Sequence, residues 1–310
     1  MTVPIILDCD PGHDDAMAIL LARGCPDIDL RAITTVAGNQ TLEKTTLNAR
    51  RVCTAAGITD VPIYAGCDRP LLRDQIIAPE VHGESGLDGP SWGEPTVPLA
   101  DGHAVDFLVS TLMSTDEPIT LVPVGPLTNI ATALAREPRI VEHTREVVLM
   151  GGSYTRGNKS PAGEFNILAD PEAAAMVFRA GWPLTMVGLD LTHQALAYPP
   201  IVSEIAAIGT PLSATVVEIL TFFGSTYRHV EGFTAPPIHD ACAVARVASP
   251  GLVAVADAFV AVETKGEWSA GMTVTDFNGL LGQPVNAQVA TKLDADGFWA
   301  LMIAALRALH

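Results

Sequence analysis

Four carboxylates, Asp8, Asp10, Asp14 and Asp15, fall within eight residues near the start of the chain. They lie in Ile5-Ile6-Leu7-Asp8-Cys9-Asp10-Pro11-Gly12-His13-Asp14-Asp15, ahead of the apolar stretch Ala16-Met17-Ala18-Ile19-Leu20-Leu21. Anions crowded at the end of a buried strand repel one another strongly unless a cation joins them. Oxygen donors without a neighbouring Cys or His cluster suit a hard ion, Ca²⁺ or Mg²⁺, better than zinc. For a single Asp the plainer reading is a solvated turn that caps a helix. For four of them around a Pro-Gly turn, a metal or catalytic site is the stronger reading.

The elements that must position these groups alternate between strand and helix. Pro4–Leu7 reads as a strand, Asp15–Arg23 as a helix and Asp29–Val36 as a second strand leading to Ala37-Gly38-Asn39. The spacing predicts a helix over Leu42–Ala56 that stops at Gly57. A short strand, Val61–Ala65, precedes an irregular Gly/Pro-rich region from Pro79 to Pro98 that contains His82. His103–Ser114 reads as a helix and Ile119–Val124 as an apolar strand suited to the middle of a parallel sheet. The helix Ile130–Arg136 follows, then the strand Glu146–Met150 and Gly151-Gly152. Asp170-Pro171-Glu172 is a helix start with Asp as N-cap, and that helix runs to Ala180. Leu184–Leu189 is a strand. In the last third, Ile201–Ile208, Thr215–Tyr227, Asp240–Ala248 and Asp296–Leu309 read as helices and Phe259–Val262 as a strand, while Met272–Asp276 and Asn286–Ala290 could pair with each other. Repeated strand–helix units imply an α/β fold, a single domain over residues 1–310 with a doubly wound, mostly parallel sheet flanked by helices.

Ligands of open α/β sheets bind beyond the carboxyl ends of the strands. The polar residues just past strands are the acidic cluster and Asn39, then the Val124-Gly125-Pro126 and Gly151-Gly152 turns, then Asn158, Glu164, Asn166 and His239-Asp240. Carboxylates, amides and imidazoles can together hold a hard cation and hydrogen-bond several hydroxyls, as a sugar requires.

Composition narrows the field. Hydrophobic residues at 48% and charged residues at 17% of 310 describe a compact globule, not a disordered chain. A formal charge of −17 offers no basic footprint for nucleic acid or an anionic membrane. It is compatible with a neutral small-molecule ligand, and equally with a plain gain in solubility. The five cysteines include no C-x-x-C pair and read as buried apolar residues in a reducing compartment. Asp8 and Asp10 interrupt any signal-like apolar run, and no stretch of 18 apolar residues occurs, so a cytoplasmic location is expected.

These segments, in order, closely resemble the inosine-uridine-preferring nucleoside hydrolases. The family signature Asp-x-Asp-Pro-Gly-x-Asp-Asp stands here as Asp8 to Asp15. The match continues through Ala37-Gly38-Asn39, Gly125-Pro126-Leu127-Thr128-Asn129, Glu164-Phe165-Asn166-Ile167, Asp170-Pro171-Glu172-Ala173 and His239-Asp240-Ala241, across essentially the whole chain. The resemblance implies a Ca²⁺-dependent hydrolase that releases ribose and free base from ribonucleosides and forms a homodimer or homotetramer. It implies that Asp10, Asp15, Asp240 and the carbonyl of Val124 hold the metal, and that Asp10 is also general base toward the attacking water. Asp14, Asn39, Asn158, Glu164 and Asn166 would then surround the ribose, with His82, Tyr227 and His239 near the nucleobase. His239 is the candidate acid on the leaving base: a helix dipole disfavours its protonation, while Asp240 and the acidic pocket favour it. The segments Val81–Gly86 and Thr234–Asp240 lean toward the bacterial pyrimidine-preferring branch, so uridine, cytidine and inosine are the expected substrates.

The remaining residues have simpler readings. Asp8 is expected to support Asp10 from deeper in the strand, and His13 to be exposed and incidental. Two other functions compete, a non-catalytic nucleoside-binding protein and an Asp-dependent Mg²⁺ phosphohydrolase. The second is disfavoured because Gly12 stands where a Thr is usual and no P-loop is present.

Overall fold

The computed structural model describes residues 2–309, and all nine strands among them join one sheet. The strands are β1 (Val3–Cys9), β2 (Ile28–Thr35), β3 (Ile63–Ala65), β4 (Ile119–Pro123), β5 (Thr144–Met150), β6 (Leu184–Val187), β7 (Val253–Val262), β8 (Thr273–Asp276) and β9 (Ala287–Leu293). Their spatial order is β3-β2-β1-β4-β5-β6-β9-β7-β8. All pairs from β3 across to β9 are parallel, and β7 runs antiparallel to both β9 and β8.

The first six strands follow the doubly wound order in which the direction of winding reverses between β1 and β4. At such a reversal the flanking connections leave toward opposite faces and open a crevice above the strand ends. Asp10 follows β1 and Val124 follows β4, so the sequence delivers its acidic turn to that crevice. The two strands are locked in register there, with Asp8 opposite Pro123 and the Val124 N–H donating to the Asp8 carbonyl at 2.7 Å.

The alternation of β1 feeds two apolar layers. Ile5, Leu7 and Cys9 face the core that includes the helices His13–Gly24, Asp240–Ala248 and Ala295–Ala308, while Ile6 faces the core under Ala104–Ser114, Thr128–Arg136 and Pro171–Phe178. The helix His13–Gly24 is apolar nearly all round, and every residue except Arg23 is buried, as such a helix requires. It packs so tightly on the C-terminal helix that a Cβ on Gly24 would stand 2.3 Å from the Ala305 carbonyl oxygen.

Several expectations are corrected. The first helix begins at His13 rather than Asp15, because Asp15 at its third position caps the turn by accepting from Gly12 N–H. His13 is fully buried, not exposed. The Pro79–Pro98 region contains the short helix Pro79–His82, and the strand expected to reach Leu189 ends at Val187. β8 and β9 do not pair with each other; β7, longer than expected, lies between them and bonds to both. Asp170 is the N-cap that its Pro-Glu context suggests, accepting from Ala173 N–H at 3.0 Å. Among the described residues no helix is long and apolar enough to cross a membrane.

Candidate active site

The floor of the crevice is the acidic turn. Asp15 accepts from the N–H of Asp10 at 3.0 Å and of Gly12 at 2.8 Å, which folds the turn back on itself. Asn39 N–H donates to Asp10 Oδ2 at 2.6 Å, and the Asn39 amide bridges the Asp10 carbonyl and Asp15 Oδ2, both at 3.2 Å. Asn39 is therefore a brace of the cluster, more than a turn residue. The second Asp10 oxygen, Oδ1, is enclosed and has no hydrogen-bond partner. Two glycines make room for this carboxylate: a Cβ on Gly38 would lie 2.1 Å from Oδ2, and one on Gly125 2.4 Å from Oδ1.

Asp240 arrives from the other end of the chain, at the start of the helix Asp240–Ala248, which packs on the helix His13–Gly24. One oxygen each from Asp14, Asp15 and Asp240 lie within 4.8 Å of one another, all buried. Among the described residues no Lys or Arg forms an ion pair with Asp10, Asp14, Asp15 or Asp240. Burial first, and the neighbouring carboxylates second, hold Asp10, Asp14 and Asp240 well above the usual carboxylate range. Burial also raises Asp15. A protein that buries anions without counter-charges needs a cation or protons there. The donors are all hard oxygens, and one of them is an orphan. The residues present fit a hard divalent ion.

Asp8 lies one strand step deeper, where it accepts from Thr34 Oγ1 at 2.6 Å and Asn129 Nδ2 at 2.7 Å. Burial pushes it up to about 7. Asn129 also donates to the Thr35 carbonyl and accepts from Cys67 N–H, so it ties three strand ends together behind the floor.

Above the floor opens a cleft whose walls include Asp14, Asn39, His82, Val124, Asn158, Glu164, Asn166, Tyr227, His239 and Asp240. Every side chain expected to touch substrate thus lines one cavity, with Asp10 and Asp15 beneath it. A family model described as inosine-uridine preferring nucleoside hydrolase matches residues 5–300. The chain belongs to the inosine-uridine preferring nucleoside hydrolase family. It is 49% identical over 99% of its length to the inosine-uridine preferring nucleoside hydrolase of Crithidia fasciculata, covering 98% of that protein. It is 46% identical over 96% of its length to the pyrimidine-specific ribonucleoside hydrolase RihB of Escherichia coli, covering 95% of it. Among solved structures, a purine-preferring ribonucleoside hydrolase from Gardnerella vaginalis aligns with a TM-score of 0.93 at 30% identity, over 99% of this chain and 98% of that one. The protein is a ribonucleoside hydrolase enzyme.

One wall of this nucleoside hydrolase is built on Glu164. Its carboxylate accepts from the N–H groups of Gly152 (2.9 Å), Asn166 (2.9 Å) and Ile167 (3.1 Å), capping the helix Phe165–Ala169. Burial outweighs those three bonds and pushes its pKa up to about 7. Asn166 spends both amide protons on the carbonyls of Val124 (2.8 Å) and Met150 (3.2 Å), which leaves its oxygen free to accept. Asn158 accepts from Phe165 N–H at 2.9 Å through Oδ1, which leaves its amide protons free.

The opposite wall is aromatic. His239 is held at both ring nitrogens, 2.7 Å from Thr192 Oγ1 and 2.7 Å from the Tyr227 hydroxyl. Burial keeps its pKa well below the ordinary value. His82 contacts His13, Nδ1 to Nδ1 at 3.1 Å, and His13 reaches the Asp88 carbonyl with Nε2 at 2.8 Å. His13 also stacks on Phe222 and Phe223 at 5.2 and 5.0 Å, so the residue read as incidental seats His82. Sequence reasoning missed Thr192, although a Thr-His pair just past a strand is a signal that could have flagged it. It also missed Lys159, which lines the cleft while its charge is matched by Glu80 at 2.5 Å.

Proposed function

We propose that this chain hydrolyses the N-glycosidic bond of ribonucleosides with Ca²⁺ bound by Asp10, Asp15, Asp240 and the carbonyl of Val124, taking uridine, cytidine and inosine as substrates. The observation that carries this reading is the buried, uncompensated carboxylate floor under a cleft lined by amides and a carboxylate. The ion, when bound, supplies positive charge to the floor and makes a water it holds more acidic.

The chain's own residues do the rest. Asp10, fixed through Oδ2 by Asn39, keeps Oδ1 free to take the proton of the attacking water. Asp14 lines the cleft, as do Val124 and Asp240, and one of its oxygens lies within 4.8 Å of Asp15 and Asp240 oxygens, so its partner is taken to be a ribose hydroxyl held beside the ion. Asn39, Asn158 (donor), Asn166 (acceptor) and Glu164 complete the ribose cradle. As the glycosidic bond stretches, positive charge grows on the sugar, and this fixed negative surround favours it. On the leaving side His82 and Tyr227 face the nucleobase. Tyr227 stands in the cleft, backed by His239, so its hydroxyl is the group that offers a hydrogen bond to the departing base, and His239 serves through it.

Purified protein incubated with uridine, cytidine and inosine should release ribose, and a Ca²⁺ chelator should stop the release. Asp10→Ala should abolish turnover with an unchanged circular dichroism spectrum. Binding without ribose release would instead identify a non-catalytic nucleoside binder. Tyr227→Phe should slow natural nucleosides about 100-fold, within the usual range for proton donation, and should spare a ribosyl nitrophenolate, whose leaving group needs no proton. Equal slowing of both substrates would remove Tyr227 from that role.

The assembly is proposed to be a homodimer or homotetramer. Exposed apolar side chains at Trp268 (83%), Leu280 (86%) and Val285 (59%) accord with such contacts.

A further inference from the structure

Between β5 and the helix Phe165–Ala169 the chain runs through Ser153-Tyr154-Thr155-Arg156-Gly157-Asn158 without regular structure. This arm is tied down by a residue that does not line the cleft, Asp190 in the short helix Leu189–Thr192. Asp190 Oδ2 accepts from the Ser153 hydroxyl at 3.0 Å and from Tyr154 N–H at 2.8 Å, and Oδ1 accepts from the Thr155 hydroxyl at 2.5 Å. Because Ser153 gives its only hydroxyl proton to Asp190, both lone pairs of its oxygen are left to accept. They take the N–H groups of Thr155 and Arg156, each at 3.0 Å. The carboxylate thus winds the turn both directly and through Ser153. The two segments touch closely enough that a Cβ on Gly188 would stand 2.7 Å from the Gly152 carbonyl oxygen.

We propose that Asp190 is a positioning residue for ribose recognition, its carboxylate shaping the Ser153–Arg156 turn that delivers Asn158 to the cleft wall. This rests on the reading of Asn158 as a ribose contact. Gly157 and Asn158 follow the turn directly, so how the turn closes sets the path by which Asn158 reaches the cleft, while Phe165 N–H at 2.9 Å holds its side chain from the other end. The floor carboxylates lie on other elements, and the link from this short helix to them runs through Thr192, which holds His239, and not through Asp190. An Asn at position 190 weakens the arrangement, since all three donors lose a charged acceptor and, with its oxygen toward Ser153 and Tyr154, its amide N–H faces Thr155, whose hydroxyl must turn from donor to acceptor.

The test is a double-mutant cycle with Asp190→Asn and Asn158→Ala, assayed on uridine. Asp190→Asn should raise KM roughly ten-fold, the size of one substrate hydrogen bond. In the Asn158→Ala background it should add nothing further. Hydrogen exchange of the 153–158 amides should speed up while that of the central strands stays as in the wild type. Ser153→Ala, which removes the relay and keeps the carboxylate, should shift KM the same way by less, and it keeps the test open if Asp190→Asn accumulates poorly. Additive effects of the two substitutions, or a lowered Tm with unchanged KM, would overturn the role of Asp190. An Asn158→Ala enzyme with wild-type KM would overturn the ribose reading of Asn158, and the proposal with it.

Discussion

Glu164 shows how one side chain can hold a wall together and still be at odds with its surroundings. Three backbone N–H groups favour its charged form, yet burial prevails and moves the pKa from the ordinary 4.5 to about 7. The folded chain therefore holds the proton more tightly than the unfolded chain, and between pH 4.5 and about 7 the unfolded state releases it first. Stability from this residue is fully present below pH 4.5, falls as pH rises to about 7, and is flat above. The loss is on the order of 3 kcal/mol, since each tenfold change in proton affinity is worth about 1.4 kcal/mol. The buried histidines act oppositely in the same window: burial pushes His13 and His193 down to about 4 and His82 and His239 well below 6.5, so their contribution is lost as pH falls below 6.5. Glu172, held low by Arg73, acts oppositely only at lower pH. In chelator-treated protein, the Tm of Glu164→Gln relative to wild type should accordingly rise between pH 5 and pH 7.5, because the amide has no proton to lose. A Tm difference between the two proteins that does not change with pH would contradict this role of Glu164.

The loops after β1, β2 and β4 act as a unit, and their glycines are what let them close on Asp10. Gly125→Ala would bring a Cβ to 2.4 Å from Asp10 Oδ1 and 3.2 Å from Asp10 N, so the carboxylate must move. Activity should fall by about 100-fold, the scale that a displacement of ~1 Å carries, with near-normal circular dichroism. Gly93→Ala meets nothing within 4 Å and serves as the control with full activity. Most of this element layer was legible in the sequence. The helix caps at Asp170 and Gly57 and the apolar β4 gave clear local signals, and the acidic residues announced their turn by their number. What local pattern could not show is pairing at a distance. The hairpin-like look of Met272–Asp276 and Asn286–Ala290 concealed that β7 inserts between them, because antiparallel partners are chosen by the whole edge of the sheet. His13 was misread for the same reason. A histidine in an acidic turn looks exposed until Phe222 and Phe223, far along the chain, fold over it. Asp190 gave no signal either, since its partners lie 35 to 37 residues back, beyond two helices and a strand.

At the scale of the molecule, a net charge of −17 and a buried acidic floor pull in the same direction. Both make the cation-free chain less stable near neutral pH, and both are relieved by a divalent ion. Calcium at about 100 times its Kd should stabilise the fold by about 2.7 kcal/mol, raising Tm by several degrees in differential scanning calorimetry. Asp240→Asn should abolish most of that rise while leaving the chelated protein at least as stable as the chelated wild type. An equal rise in both proteins would place the ion elsewhere.

The packing of the helix Asp240–Ala248 against the helix His13–Gly24 has one more consequence, and it concerns order in time. Asp10, Asp14 and Asp15 are assembled by the first few residues to be synthesised, but Asp240 joins them only after most of the sheet exists. Contacts of such long sequence separation form late. On the proposed ligand set, the early acidic turn lacks Asp240 until the closing helix docks, so high metal affinity would arrive only then. Metal capture would thus mark completion of the fold, and a chain truncated before residue 240 should carry the family's signature motif yet bind no Ca²⁺ in a calorimetric titration.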